Sequence, residues 1–379
     1  MKNRKLFVAI LMIFGVFLQF FAGFRADNVC FAMGKNDDVG AESMVTIEAS
    51  SGRVLFEKDK DKKLPMASTT KILTAIVALE NCKDLDRKYL ITKEMTGIEG
   101  SSIYLKAGEH LSVLELLYGL MLRSGNDSAV AIAIIVGGSV EHFVKMMNDY
   151  CVKLGANNTH IVTVNGLHHD EHFTTASDLA KITAYAYRNE NFKEIVSSKE
   201  KVISSELDVK NKCRLLKNKN KLLKMVDGAD GVKTGYTKKA GKCFVGSAER
   251  NGMRIICVVL NAKTMFDDSK KFIEKAFDEF RVVKLFKAGE LVGGEIKTQN
   301  GSIYLKNDVV YPLTMEEIKK INAKVEVFDS PKADGQIGLL DFRLENELIF
   351  SVKLFTIIIE KNGANNGFKA RLSKIIKSF

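Results

Sequence analysis

Apolar and polar positions alternate along "MVTIEASSGRVLFEKD" (residues 44–59) on both sides of Ser50-Ser51-Gly52, which predicts a β-hairpin. The period then lengthens: between Thr70 and Leu79, Ile72, Leu73, Ile76, Val77 and Leu79 recur at helical spacing. "LSVLELLYGLMLRSGNDSAVAIAIIVGG" (111–138) reads as two apolar helices joined at the polar break Arg123-Ser124-Gly125-Asn126-Asp127. "SVEHFVKMMNDYCVKLG" and "TASDLAKITAYAYRN" continue the helical block, the second starting at Ser177-Asp178. Near Asp230 the period returns to two, and "DGVKTGY", "CFVGSAE" and "MRIICVVLNA" read as strands with tight turns. "DDSKKFIEKAFDEFRVVKLF" (267–286) predicts an amphipathic helix closing a first domain of residues 41–285. Hairpin, helices and then strands imply an α+β layer architecture, with helices packed on an antiparallel sheet.

After residue 285 the segments are short and alternating, with Gly, Asn and Pro turns, as expected of a small all-β domain over 286–360. The last stretch, 364–379, puts Phe368, Leu372, Ile375, Ile376 and Phe379 on one helical face, with Lys369, Arg371, Lys374 and Lys377 elsewhere. Such a helix lies well on a membrane surface, its cations near anionic lipid; the other reading is a tail docked on its own domain. At the other end, Met1 to Lys5 is basic and Leu6 to Phe24 nearly all apolar, the form of a signal peptide (1–32) cleaved after Ala32, with an uncleaved anchor as the alternative. Either way the remainder is expected to be exported, to the outer face of the cytoplasmic membrane or the cell wall.

With 379 residues, 46% of them hydrophobic and only three prolines, the chain has length for two domains plus appendages, and disorder is confined to its ends. The net charge of +11 raises the question of nucleic acid, but the lysines are scattered and no aromatic-interleaved basic motif occurs, so no nucleic-acid partner is expected. An exported basic protein instead meets anionic wall polymer or lipid headgroups. Six cysteines, at 30, 82, 151, 213, 243 and 257, include no CxxC pair, and removal of the signal leaves an odd number; they read as small buried apolar residues.

Candidate chemistry begins at "PMASTTKILTA" (65–75), where Ser68, Thr69 and Thr70 stand at a helix start as hydroxyls that cap free N–H groups. Residues three apart share a helical face, so Ser68 and Lys71 would project side by side. Burial, cationic neighbours and a helix N-terminus all depress an ammonium pKa, so the pair can act as nucleophile and base. In "RSGND", Ser124 and Asn126 sit on a sharp turn and could enter the same cleft, one relaying a proton and one bonding a substrate amide. In "DGVKTGYTKKAG", Lys233 and Thr234 suit a substrate carboxylate, while Gly235 lets a substrate backbone approach the strand. "HHDEH" (168–172) contains metal-ligand types, but a solvated loop explains it and no metal or other cofactor is expected.

Ser-x-x-Lys, Ser-x-Asn and Lys-Thr-Gly in this order form the signature of penicillin-binding proteins and class A β-lactamases. Together with "EGSSIYLKAGE", "LLYGLMLRSGNDSAVAIA", "HFTTASDLA" and "KTGYTKKAGKCFVGSAER", they make the chain resemble the low-molecular-mass penicillin-binding proteins, the serine D-alanyl-D-alanine carboxypeptidases. The resemblance is strong over 41–285 and looser over the β segment and tail. It implies a transpeptidase-like domain with helices on both faces of its sheet. It also implies a substrate, the peptidoglycan stem peptide ending in D-Ala-D-Ala, and β-lactams as covalent inhibitors, with no cofactor. Ser68 would attack the carbonyl and Lys71 take its proton. Ser124 and Lys233 would pass a proton to the leaving amine, Asn126 hold the peptide amide, and Thr234 with Lys233 bind the terminal carboxylate. The oxyanion would lie between the N–H groups of Ser68 and Tyr236. Lys242 and "VTVNGLHHDEH" depart from the family pattern. A β-lactamase would need E-x-x-x-N, yet Glu171 is followed at the fourth position by Thr175. A non-catalytic penicillin sensor need not keep Lys71, Asn126 and Lys233 together, as this chain does.

Overall fold

The predicted hairpin forms from Ala41–Glu48 (β1) and Val54–Lys58 (β2) in a computed structural model that describes residues 39–205, 207, 212–289, 302–328, 330–332 and 335–357. The expected signal peptide and C-terminal helix lie outside these residues. The turn is organised by the Glu48 carboxylate, which accepts from the N–H groups of Ser50 and Ser51 at 2.8–2.9 Å and from both their hydroxyls. There follow Lys71–Asn81 (α1) and a ribbon of Lys88–Leu90 (β3) with His110–Ser112 (β4). Helices Val113–Leu122 (α2), Asn126–Gly137 (α3), Val140–Lys153 (α4), Ala176–Ala186 (α5) and Glu190–Ser197 (α6) come next. A second ribbon, Glu200–Ser204 (β5) with Cys213–Lys217 (β6), leads to Ala229–Thr237 (β7), Gly241–Arg250 (β8), Met253–Ala262 (β9) and Met265–Glu279 (α7). The early hairpin pairs with a strand from far along the chain, β1 against β9: the sheet runs β2-β1-β9-β8-β7, antiparallel throughout.

Six consecutive buried residues in each of β8 and β9 replace simple alternation, because both faces of the sheet are covered. On one face Val45, Val245, Ile256 and Val258 join the core formed with α1, α2, α3 and α5. On the other, α7 lays Phe272 against Phe56 and Phe266 against Phe244, ring centroids 5.6 and 4.9 Å apart. Helix α1 is buried at every position from Lys71 to Leu79, the condition of a helix surrounded by protein on all sides.

Three local expectations are corrected. Helix α7 stops at Glu279 rather than at 286; β-branched Val282 and Val283 favour the extended chain, and Phe280–Phe286 becomes a strand. Helix α5 starts at Ala176, one residue before Ser177, and Thr175 is the cap, its hydroxyl accepting from Asp178 N–H at 3.0 Å. Among the described residues the five cysteines are free, with Cys151, Cys243 and Cys257 buried but Cys213 exposed on β6.

The chain divides into two compact units at Asp278/Glu279. The second contains Phe280–Phe286 (β10), Ser302–Tyr304 (β11), Val309–Thr314 (β12), the helix Met315–Lys320 (α8), Ile321–Val327 (β13), Gln336–Leu344 (β14) and Glu347–Ile357 (β15). β10 pairs with β12, and a sheet of order β11-β15-β14-β13 completes it. Helix α8 interrupts the expected all-β pattern, held by a reciprocal capping box between Thr314 and Glu317. Tyr311, Phe350 and Phe342 stack in its core with centroids 4.0 and 4.4 Å apart.

Phe272→Ala should lower the free energy of unfolding by about 3–5 kcal/mol, the usual cost of emptying a buried aromatic site. Urea unfolding followed by circular dichroism checks this, and a loss under about 1 kcal/mol would show that α7 does not carry the second core layer.

Candidate active site

A 3₁₀ turn, Ala67–Thr70, precedes α1, with Ala67 in the left-handed region at φ +47°. The hydroxyls do not cap the helix as expected. Thr69 Oγ1 donates to Met66 O at 2.6 Å and Thr70 Oγ1 to Ala67 O at 2.8 Å, because in so tight a turn the carbonyls three residues back are nearer than free N–H groups. Both threonines are buried, and Ser68 is the partly exposed hydroxyl of the three.

Lys71 occupies the first position of α1, fully buried, and its Nζ reaches three oxygens at once. Ser68 Oγ lies 2.9 Å away, Asn126 Oδ1 2.7 Å and the backbone oxygen of Asn165 2.5 Å. The amide orientation of Asn126 is fixed from its other end, where Nδ2 donates to Glu99 O at 2.6 Å. Asn126 opens α3, and its N–H donates to Ser101 O at 2.7 Å. The neighbouring Asp127 carboxylate ties down the same 99–105 loop by accepting from Ser102 Oγ and from the N–H groups of Ile103 and Leu105.

Asn165 comes from "VTVNGLHHDEH", the stretch that departs from the family pattern and that no motif marks. Gly166 brings it in: at φ +81°, a Cβ there would lie 2.0 Å from Ala67 O, so the loop can pack on the Ser68 turn only as glycine. The Asn-Gly dipeptide was the available signal. His172, assigned to a solvated loop, is instead 2% exposed and hydrogen-bonded to Thr70. Among the described residues no group of three or more His, Cys, Asp and Glu side chains is placed to hold a metal.

The third motif lies on β7, the free edge of the sheet. A Cβ on Gly235 would fall 2.9 Å from Ser68 N and 3.1 Å from Thr69 N, so the missing side chain is what lets the strand edge run beside the serine turn. Lys233 is buried and its Nζ donates to Thr234 O at 2.7 Å; Thr234 is half-buried and Tyr236 exposed. Ser124, buried at φ +63° between α2 and α3, is hydrogen-bonded to none of these groups. The described hydrogen bonds therefore unite Ser68, Lys71, Asn126 and Asn165. Lys233 joins them through its charge, and Ser124, Thr234 and Tyr236 are brought near by their elements alone.

Residues 31–264 match the family model described as D-alanyl-D-alanine carboxypeptidase. The chain belongs to this family. It is similar to the D-alanyl-D-alanine carboxypeptidase DacF of Bacillus subtilis, 31% identical over 330 residues, covering 85% of this chain and 82% of that one. DacC of Escherichia coli is 32% identical over 359 residues, covering 88% and 87%. Among solved structures, penicillin binding protein 5 from Haemophilus influenzae superposes with a TM-score of 0.74 at 29% identity, covering 84% of this chain and 97% of that one. The D-alanyl-D-alanine carboxypeptidase DacD from Francisella tularensis gives a TM-score of 0.70 at 27% identity, covering 84% and 93%.

In this carboxypeptidase-family site the lysines are poised by desolvation. Burial holds the Lys71 pKa well below the ordinary lysine range, the charges of Lys233 and Lys219 push the same way, and Asp127 opposes them. Burial first, and then Lys219, bring Lys233 down to about 7. Lys219, a third lysine that no motif marked, is itself lowered by burial and by Arg123. A neutral lysine has two N–H donors and one lone pair. Asn126 Oδ1 and Asn165 O can only accept, so they take both hydrogens and leave the lone pair facing the Ser68 hydroxyl.

Lys233→Met should raise the thermal midpoint at pH 6 by roughly 2–4 °C, the effect of about 1 kcal/mol in a domain of this size. The sign follows from linkage: between about 7 and the ordinary lysine value the unfolded chain holds a proton that the fold does not. The native lysine therefore costs most at low pH, and the gain should shrink as pH rises above 7. Calorimetry at pH 6 and 9 checks this; a lower midpoint at both would contradict it.

Proposed function

We propose that this chain removes the terminal D-alanine from peptidoglycan stem peptides ending in D-Ala-D-Ala, by way of an acyl-enzyme on Ser68, and that β-lactams acylate the same hydroxyl. The observation that carries this reading is the triple contact of a buried, proton-poor Lys71 with Ser68 Oγ, Asn126 Oδ1 and Asn165 O. Lys71 takes the Ser68 proton as Oγ attacks the carbonyl carbon of the penultimate D-alanine. The oxygen that gains charge lies between the N–H groups of Ser68 and Tyr236, preset donors worth a few kcal/mol in the transition state. The C–N bond then breaks as the proton held on Lys71 passes by way of Ser124 and Lys233 to the departing amine, so that D-alanine leaves and Lys71 is neutral again. Water attacks the ester with Lys71 again as base, which restores Ser68. Asn126 holds the peptide amide, while Lys233 and Thr234 bind the terminal carboxylate, with Gly235 admitting the substrate backbone to the β7 edge.

The leaving amine of a β-lactam stays tethered in the opened ring, so the penicilloyl ester should be long-lived unless a carboxylate activates water. Glu171, which has Thr175 and not Asn at the fourth following position, is exposed, and the Asp127 carboxylate is committed to Ser102, Ile103 and Leu105. These positions favour slow release over β-lactamase turnover. The basic and apolar N-terminus supports export, and the amphipathic tail supports attachment at the outer face of the cytoplasmic membrane.

Ser68→Ala should abolish both D-alanine release from a pentapeptide and labelling by fluorescent penicillin, each by at least about 10³-fold. Retained turnover in that variant sinks the assignment, and rapid loss of label from the wild type would favour the β-lactamase reading. The carboxylate site gives a second expectation. Lys233 must be protonated to bind the substrate, so KM should climb as pH passes above about 7. Lys219→Ala removes a neighbouring cation, raises the Lys233 pKa, and should move that climb to higher pH; an unmoved profile would break the coupling.

A further inference from the structure

Beside the serine turn lies a buried titratable group that the mechanism does not use. His172 is 2% exposed, and both its ring nitrogens are engaged with backbone or hydroxyl groups. Its Nδ1 accepts from the N–H groups of Val162 at 3.0 Å and Thr163 at 3.2 Å, so that nitrogen carries no hydrogen. The ring proton is therefore on Nε2, which lies 2.8 Å from Thr70 Oγ1 and must donate to it. That leaves the threonine its own hydrogen for Ala67 O, at 2.8 Å. These five groups thus form a chain with one fixed direction, from the two loop amides through imidazole and hydroxyl to a single carbonyl.

That carbonyl matters because of what shares its plane. Ala67 C=O and Ser68 N–H belong to one peptide unit and point in opposite directions, so fixing the oxygen aims the N–H. Ser68 N faces the β7 edge, where a Gly235 Cβ would lie 2.9 Å away. Ala67 itself is held at φ +47°, a conformation a non-glycine residue keeps only when its surroundings impose it. The loop at the other end of the chain delivers Asn165 O to Lys71 two residues beyond Thr163.

We propose that His172 is a positioning residue: through Thr70 it orients the Ala67–Ser68 peptide, and so one oxyanion donor, while its other nitrogen anchors the loop that presents Asn165 O to Lys71. This rests on the carboxypeptidase reading above. The ring works only when neutral, since a proton on Nδ1 would face two N–H groups. Burial keeps it neutral by bringing its pKa to about 4, with His160, His169, His168 and Lys71 acting in the same direction. His172 touches no reacting atom, and its contribution belongs to the transition state rather than to substrate capture.

The test uses the full chain and separates the penicillin acylation rate constant from the preceding non-covalent Kd by stopped-flow labelling. His172→Ala and Thr70→Val should each slow acylation by about 10- to 100-fold, somewhat less than outright loss of an oxyanion donor, with Kd within about threefold of wild type. The double variant should be no slower than the slower single, because both interrupt one chain. His172→Gln, which offers an acceptor and a donor at similar separation, and Thr70→Ser should each recover most of the rate. Thr70→Val also keeps the test decisive if His172→Ala fails to fold. Acylation at the wild-type rate in Thr70→Val, multiplicative losses in the double variant, or losses confined to Kd would each overturn the proposal. A wild type that forms no penicillin adduct would instead overturn the carboxypeptidase reading itself.

Discussion

The site depends on keeping one amine out of water. Lys71 stands at the head of α1, and a proton on its Nζ has to be solvated by three fixed oxygens in place of bulk solvent. A desolvated ammonium is unfavourable by several kcal/mol, and the amine relieves that by releasing its proton. The architecture follows from the need to surround the residue: α1 threads the centre of the first unit, buried at each position from Lys71 to Leu79 between the sheet and α2, α3 and α5. An exposed α1 would return Lys71 to its ordinary pKa and leave Ser68 an unactivated alcohol.

Close approach is arranged chiefly by what is absent. Gly166 and Gly235 let a loop and a strand edge reach the Ser68 turn from two directions, at separations no side chain would tolerate. The polar partners then fix orientation. Asn126 is held by Glu99 O at one end of its amide and by Lys71 at the other, and Asp127 secures the same loop. Strain at Ala67 and Ser124, both left-handed, is concentrated where surrounding contacts impose it.

Much of this was legible before any coordinates. The two-residue period gave β1, β2 and β7 to β9, the helical period gave α1 to α5, and the motif order pointed Ser68, Lys71, Asn126 and Lys233 to one place. What stayed hidden has a common cause. Asn165 contributes a backbone oxygen, which every residue type possesses, and Lys219 acts through space rather than through spacing. His172 sits in a run of polar residues whose composition fits a solvated loop, and only its long-range partner Thr70, 102 positions away, reveals its burial. The end of α7 was missed because its amphipathic period runs on into a strand whose alternation, Val283 and Leu285 inward and Lys284 outward, overlaps it. Local pattern identifies elements; contacts across the fold decide which of their atoms meet.

The cluster of cations also explains how one cleft can hold a neutral base beside a charged anchor. Lys71 and Lys233 repel one another, and Lys219 adds to the field on both. Burial and repulsion both draw the proton off Lys71, while Lys233 titrates near neutrality and offers a charge to an anion. A substrate carboxylate arriving at Lys233 would cancel part of the field that depresses Lys71. Lys71 would then become more basic only once a substrate is in place, when water has been displaced and the proton to be taken belongs to Ser68. Substrate charge and nucleophile activation are coupled through the same few ångströms of low-dielectric protein, which gives a site for acidic peptide ends a reason to place two lysines where one would seem to suffice.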